Sequence, residues 1–221
     1  MGTMKIYLVT ILFSLGTWNF ISGQANGQNL LVNGDFSSGN SGFYSTLIYT
    51  SDLIPENTYA IGTDPADFHD NTYSYGDHTT GTGLMMIVNG PTTANQVIWQ
   101  ETVTVTADTS YQLSAWAARW YLYDTSPAQL QFSINETAIG SLLTLTENSD
   151  AWNNFTGSWY SGNATSATIE ISDFNLAANG NDFSLDDLSF QSVPEPEAGF
   201  FLLSVLFLFK TRRVLGKALG A

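Results

Sequence analysis

A chain of 221 residues without cysteine carries 20 acidic side chains against six basic ones, a net charge of −14. The missing thiols exclude disulfides and thiolate metal sites, and the charge excludes nucleic acid as a partner, because an acidic body repels a phosphate backbone. Aromatic residues at 14% and charged residues at 12% describe a folded chain, not a disordered one.

Residues 1–25, MGTMKIYLVTILFSLGTWNFISGQA, have the layout of a secretory signal peptide. Lys5 supplies the positive end, residues 6–15 form an apolar stretch too short to span a bilayer, and Gly23 and Ala25 are the small residues a signal peptidase needs. The expectation is a signal helix, cleavage near Ala25 and export. The alternative, a short buried helix, sits poorly with the polar, Gly-rich segment that follows.

Residues 26–193 have the size of one β-sandwich domain and show no useful helical period. Residues 62–78 form an Asp-rich loop holding both histidines. Asp64, Asp67, His69 and Asp70 are possible metal donors, but their spacing matches neither an EF-hand nor a zinc pattern, so a surface loop is expected. Strand signals follow at 84–88 and 96–106, the latter alternating Val97, Trp99, Val103 and Val105 on one face. Between 111 and 120, Tyr111, Leu113, Ala115 and Ala117 oppose Trp116, Ala118 and Trp120. Leu130, Phe132 and Ile134 share a face, Asn135-Glu136 predicts a tight turn into 137–145, and two further strand regions cover Trp152 to Trp159 and residues 167–172. Trp99, Trp152 and Trp159 read as core.

The last strand, FSLDDLSF at 183–190, breaks its own parity. Phe183 and Leu185 lie on one face while Leu188 and Phe190 have the other parity, so both pairs reach the core only through a β-bulge at Asp186-Asp187. A bulge turns one carboxylate inward, where it needs a cation or several N–H donors. Arg119 is the one base between residues 25 and 193, against 18 acids, so calcium, which takes oxygen ligands, is the natural candidate. Two solvated aspartates are the alternative.

The aromatic stretch Trp116, Arg119, Trp120, Tyr121 and Tyr123 is the candidate ligand platform, because sugars stack on rings while polar groups orient them. Core and rim packing is the competing use of the same residues. No nucleophile motif, phosphate loop or metal-spaced histidine pair occurs, so a non-enzyme is expected.

The chain then reads Pro194-Glu195-Pro196, an apolar segment over 198–209, and Lys210, Arg212 and Arg213. As a helix the apolar segment is about 18 Å long, against a hydrocarbon core of about 30 Å. It enters a bilayer but spans it only if the bases snorkel. This three-part tail resembles the PEP-CTERM sorting signal of Gram-negative bacteria. The resemblance assigns Pro194, Glu195, Pro196, Arg212 and Arg213 to the sorting signal over 194–221, with an exosortase as processing partner. It implies an inner-membrane-anchored precursor and then the cell surface or extracellular matrix. A plain membrane anchor is the alternative, and residues 214–221 make an unusually long trailer.

The domain's ends carry a second resemblance. NLLVNGDFSSG at 29–39 and NDFSLDDLSF at 181–190 are similar to the opening and closing segments of galactose-binding-like jelly rolls. That likeness implies an all-β fold, a single jelly-roll β-sandwich between the signal helix and a short C-terminal membrane helix. It also implies carbohydrate binding and a structural calcium at Asn33, Asp35, Asp186 and Asp187. Ser37 stands where many members have Glu, which removes one ligand. The expected function is non-catalytic association with extracellular polysaccharide. A polysaccharide-processing, glycoside hydrolase-like enzyme and a structural matrix protein without a ligand are the rivals.

Overall fold

The structure, a computed structural model, describes residues 27–123, 126–146 and 151–194. The signal peptide, Glu195, Pro196, Arg212 and Arg213 lie outside the described residues. Ten strands build two sheets: β1 (Ile48–Tyr49), β2 (Thr58–Gly62), β3 (Met85–Asn89), β4 (Trp99–Thr104), β5 (Ser110–Arg119), β6 (Gln129–Ile134), β7 (Thr137–Thr144), β8 (Asn153–Tyr160), β9 (Ser166–Asp173) and β10 (Phe183–Ser192). One sheet runs β1-β2-β3-β10-β5-β8 and the other β4-β9-β6-β7. Every pairing is antiparallel except β1 with β2. This is an all-β sandwich of the jelly-roll kind, with a single 3-10 turn at Pro65–Asp67 as its helical element among the described residues.

Alternating strands bury one face between the sheets, as the period-2 pattern requires. Val103, Leu113, Ala115, Phe132, Ile134, Phe155, Ile169, Ile171, Phe183 and Phe190 meet there. Phe132 and Phe155 stack at 3.7 Å across the gap. The β6–β7 hairpin turns on Asn135 and Glu136, both at positive φ (49° and 65°), the conformation a two-residue turn of this hand needs.

The six-stranded sheet has a second core on its outer face. Segments on either side of β2, within residues 50–75, fold back over it, with the Leu53 amide donating to the Phe68 carbonyl at 3.1 Å. Leu53, Ala60, Met85, Ile87 and Trp120 are buried beneath, flanked by Phe68, Tyr75, Tyr121 and Trp152. The Asp-rich loop runs over the surface as expected, with Asp67 and Asp70 exposed, and its Phe68 and Tyr75 also cover the sheet as part of this lid.

Candidate functional site

The bulge in β10 organises the site. Register runs Asp186 opposite Trp116 and then Ser189 opposite Ser114, so Asp187 and Leu188 together face one residue of β5. Asp187 takes the left-handed conformation, φ 50°. The extra residue restores parity, and Phe183, Leu185, Leu188 and Phe190 are all buried.

The groups freed by the bulge are taken up by the N-terminal arm. The Leu188 amide donates to the Gly34 carbonyl at 2.9 Å, and the Asn29 amide donates to the Leu188 carbonyl at 3.1 Å. Asn29 Oδ1 accepts from the Leu31 and Phe190 amides. Gly34 is required here, because a Cβ would come within 2.1 Å of the Leu188 carbonyl oxygen.

On the other side the loop over 76–83 closes on the two aspartates. Asp186 is fully buried. Its Oδ2 accepts from the His78 amide (2.9 Å) and the Thr79 amide (3.1 Å) and shares the Thr79 hydroxyl (3.1 Å). Its Oδ1 has no hydrogen-bond partner of good geometry. Burial pushes the Asp186 carboxyl up to about 6, with the amides of Asp187 and Thr79 opposing and the Asp187 charge adding to the rise. Asp187 accepts from the Thr79 hydroxyl at 2.6 Å and pairs with His78 Nδ1 at 2.6 Å. The loop is itself braced by Asp77, which accepts from the Thr80 and Gly83 amides. Burial drives the Asp77 carboxyl up, but these donors outweigh it and hold the carboxyl below its ordinary value.

The His78 ring lies flat on the Trp116 indole, 4.0 Å apart at 17°, and meets Trp152 edge-on at 5.6 Å. Trp116 is half-buried. It forms one wall of a cleft of about 460 Å³ whose other lining includes Leu31, Asn33, Asp35, Ser114 and Asp187. Candidates from separate parts of the sequence thus share one cleft: Trp116 from the aromatic stretch, and Asn33, Asp35 and Asp187 from the acidic ends.

The rest of the aromatic stretch does not join them. Trp120 is fully buried, its indole N–H donating to the carbonyls of Val88 (3.1 Å) and Phe183 (3.2 Å). Arg119, the one Lys or Arg among the described residues, is 1% exposed and donates to the Tyr123 carbonyl. Neither can be reached by a ligand. The parity that turns Trp116 and Trp120 away from the main core is as expected, but the lid over 50–75 buries Trp120 in the second core. Tyr121 packs against Trp120 and His69, with the exposed Tyr123 beside it, away from the Trp116 cleft.

The four residues named for calcium do not fit that ion in this arrangement. Asn33 spends its side chain within its own loop, donating to the carbonyls of Gly39 and Ser41 and accepting from the Ser38 amide. Asp35 is exposed and accepts from Ser37. Asp187 is engaged by His78 and Thr79, which leaves Asp186 Oδ1 as the one buried oxygen of the set without a partner. Calcium takes about six to eight oxygens.

A smaller cleft, about 290 Å³, lies at the end of the four-stranded sheet beside Asn95, Gln96, Glu170, Asp173 and Phe174. Phe174 is 63% exposed and Asp173 is buried. Burial pushes the Asp173 carboxyl up to about 7 against the amides of Asn175 and Gln129. No signal in the sequence marks this cleft, since neither residue belongs to a motif.

No protein-family model matches the sequence, and comparison with curated proteins finds no match. Solved structures do match in fold. The CBM22-1 xylan-binding domain from Paenibacillus barcinonensis Xyn10C is similar at 12% identity and a TM-score of 0.50, over 77% of this chain and 97% of that one. TmCBM61, solved in complex with beta-1,4-galactotriose, is similar at 12% identity and a TM-score of 0.50, over 74% and 97%. An arabinose-bound MgGH51 α-L-arabinofuranosidase aligns at 11% identity and a TM-score of 0.51, over 77% of this chain but 27% of its own. At such identities the likeness is one of fold.

Proposed function

We propose that this protein is an exported, non-catalytic binder of extracellular polysaccharide that holds a sugar chain in the Trp116 cleft. The observation that carries the reading is the cleft's composition: a half-buried indole forms one wall, and Asp35, Asp187 and Ser114 supply polar groups around it. An apolar ring with a few convergent hydrogen-bonding groups is the usual make-up of a sugar subsite. The fold shared with carbohydrate-binding modules supports the same reading.

The electrostatics narrow the ligand. Arg119 is buried away from the cleft, and two carboxylates line it. Neutral hydroxyls can donate to those carboxylates, whereas a uronate would be repelled. Binding in this cleft is favoured over hydrolysis because Asp186, the raised carboxyl next to the cleft's Asp187, is fully covered and cannot reach a glycosidic oxygen. Export and exosortase sorting rest on the terminal segments of the sequence alone.

A second reading places the sugar at the end of the four-stranded sheet, favoured by the exposed Phe174, which lines the smaller cleft together with Asp173. A glycan array probed with the purified protein tests the proposal as a whole. Retention on neutral β-linked polysaccharides but not on polyuronates is expected; no retention on any glycan would contradict it.

A further inference from the structure

The likeness to galactose-binding-like jelly rolls implies a structural calcium between the N-terminal arm and the β10 bulge, and here hydrogen-bond donors of the protein face the carboxylates of that bulge. We infer that the His78-Thr79 turn replaces the ion, tying the β10 bulge to the loop over 76–83 by hydrogen bonds alone. This tie holds the scaffold whatever the cleft binds.

Two backbone N–H groups, those of His78 and Thr79, point at Asp186 Oδ2. An N–H presents positive charge to its acceptor, so a cation approaching the same oxygen meets repulsion as well as competition. Backbone donors cannot rotate away as a side chain can; to admit an ion at this oxygen the turn has to refold. The Thr79 hydroxyl has one proton for two carboxylates, and its shorter contact is to Asp187 Oδ1, at 2.6 Å against 3.1 Å. His78 Nδ1 occupies Asp187 Oδ2. The turn thereby supplies both oxygens of Asp187 and Oδ2 of Asp186 with hydrogen-bond donors where an ion would otherwise sit; Asp186 Oδ1 has no such partner.

The N-terminal side agrees. Ser37, standing where many of the resembled proteins carry Glu, donates its hydroxyl to Asp35 at 2.9 Å and presents no carboxylate to the bulge. The arm is secured instead by Asn29 and Gly34 on Leu188. Among the described residues no group of three or more His, Asp or Glu side chains is placed to hold a metal. The turn also sets the Trp116 wall, because the ring that engages Asp187 is the one stacked on the indole.

The test is a thermal melt of the purified protein, stripped of metal and verified metal-free, in excess chelator and then in excess calcium. The expected result is the same melting temperature in both. A calcium ion at a hundred times its dissociation constant would separate the two by roughly 5–11 °C, and a separation of that size overturns the inference. A second arm uses Thr79→Val, which keeps the shape and removes the hydroxyl. A lower melting temperature that calcium does not restore supports the turn as the strut, and a melt unchanged from wild type overturns it. If Thr79→Val fails to fold, the wild-type comparison still decides.

Discussion

Replacing Trp120 by alanine separates the core of this protein from its candidate binding surface. Trp120 is fully buried beneath the lid over 50–75, and its N–H satisfies two strand carbonyls. Truncating a buried Trp costs about 3–5 kcal/mol, and losing its hydrogen bonding adds about 1 kcal/mol. For a chain of this size each kcal/mol lowers the melting temperature by about 2–4 °C. Trp120→Ala should therefore melt roughly 8–24 °C below wild type in a circular dichroism scan. Trp120→Phe keeps most of the buried area and should fall by much less. Trp116→Ala, which vacates a half-buried position, should also cost less than Trp120→Ala. A Trp120→Ala protein within about 2–4 °C of wild type, equivalent to about 1 kcal/mol, would refute the second core.

Two further outcomes are expected. Burial raises Asp173 to about 7 and Asp182 and Asp186 to about 6, all from an ordinary 3.8, so the folded state binds more protons than the unfolded one between about pH 4 and 7. Stability should fall as pH rises through that window, by up to about 4 kcal/mol for Asp173 alone. Asp77, held below its ordinary value, reverses the trend in more acidic solution. A melting temperature that rises steadily from about pH 5 to 8 would contradict these assignments. For sorting, changing Pro194, Glu195 and Pro196 to alanine in a host with an exosortase should leave full-length protein in the inner membrane; processing like wild type contradicts the tail reading.

Local pattern carried much of this fold into the sequence. The parity break of Phe183 and Leu185 against Leu188 and Phe190 located the bulge, since a pleated strand offers no other way to bury both pairs. The Asn135-Glu136 turn and the strands from β3 to β10 followed from alternation and turn chemistry. The two-residue β1 and the β2 strand at 58–62 did not, having too little alternation to stand out. The lid was the larger omission. Its burial of Trp120 depends on contacts such as that of His69 with Trp120, 51 positions apart in the chain, which no local period encodes. The same long-range folding explains the site. Sequence singled out Asp186 and Asp187, yet their donors come from His78 and Thr79, more than a hundred positions away.

In the proposed binding mode a sugar rests against the Trp116 wall. The most direct test is calorimetric titration of an array-selected neutral oligosaccharide into wild type, Trp116→Ala and Phe174→Ala, each checked for folding by its melt. Loss of a stacking anchor costs about 1–3 kcal/mol, or roughly a 5- to 150-fold weaker dissociation constant. The account predicts that loss for folded Trp116→Ala and none for Phe174→Ala. Unchanged affinity in Trp116→Ala, with the loss appearing in Phe174→Ala, would contradict it and move the site to the four-stranded sheet.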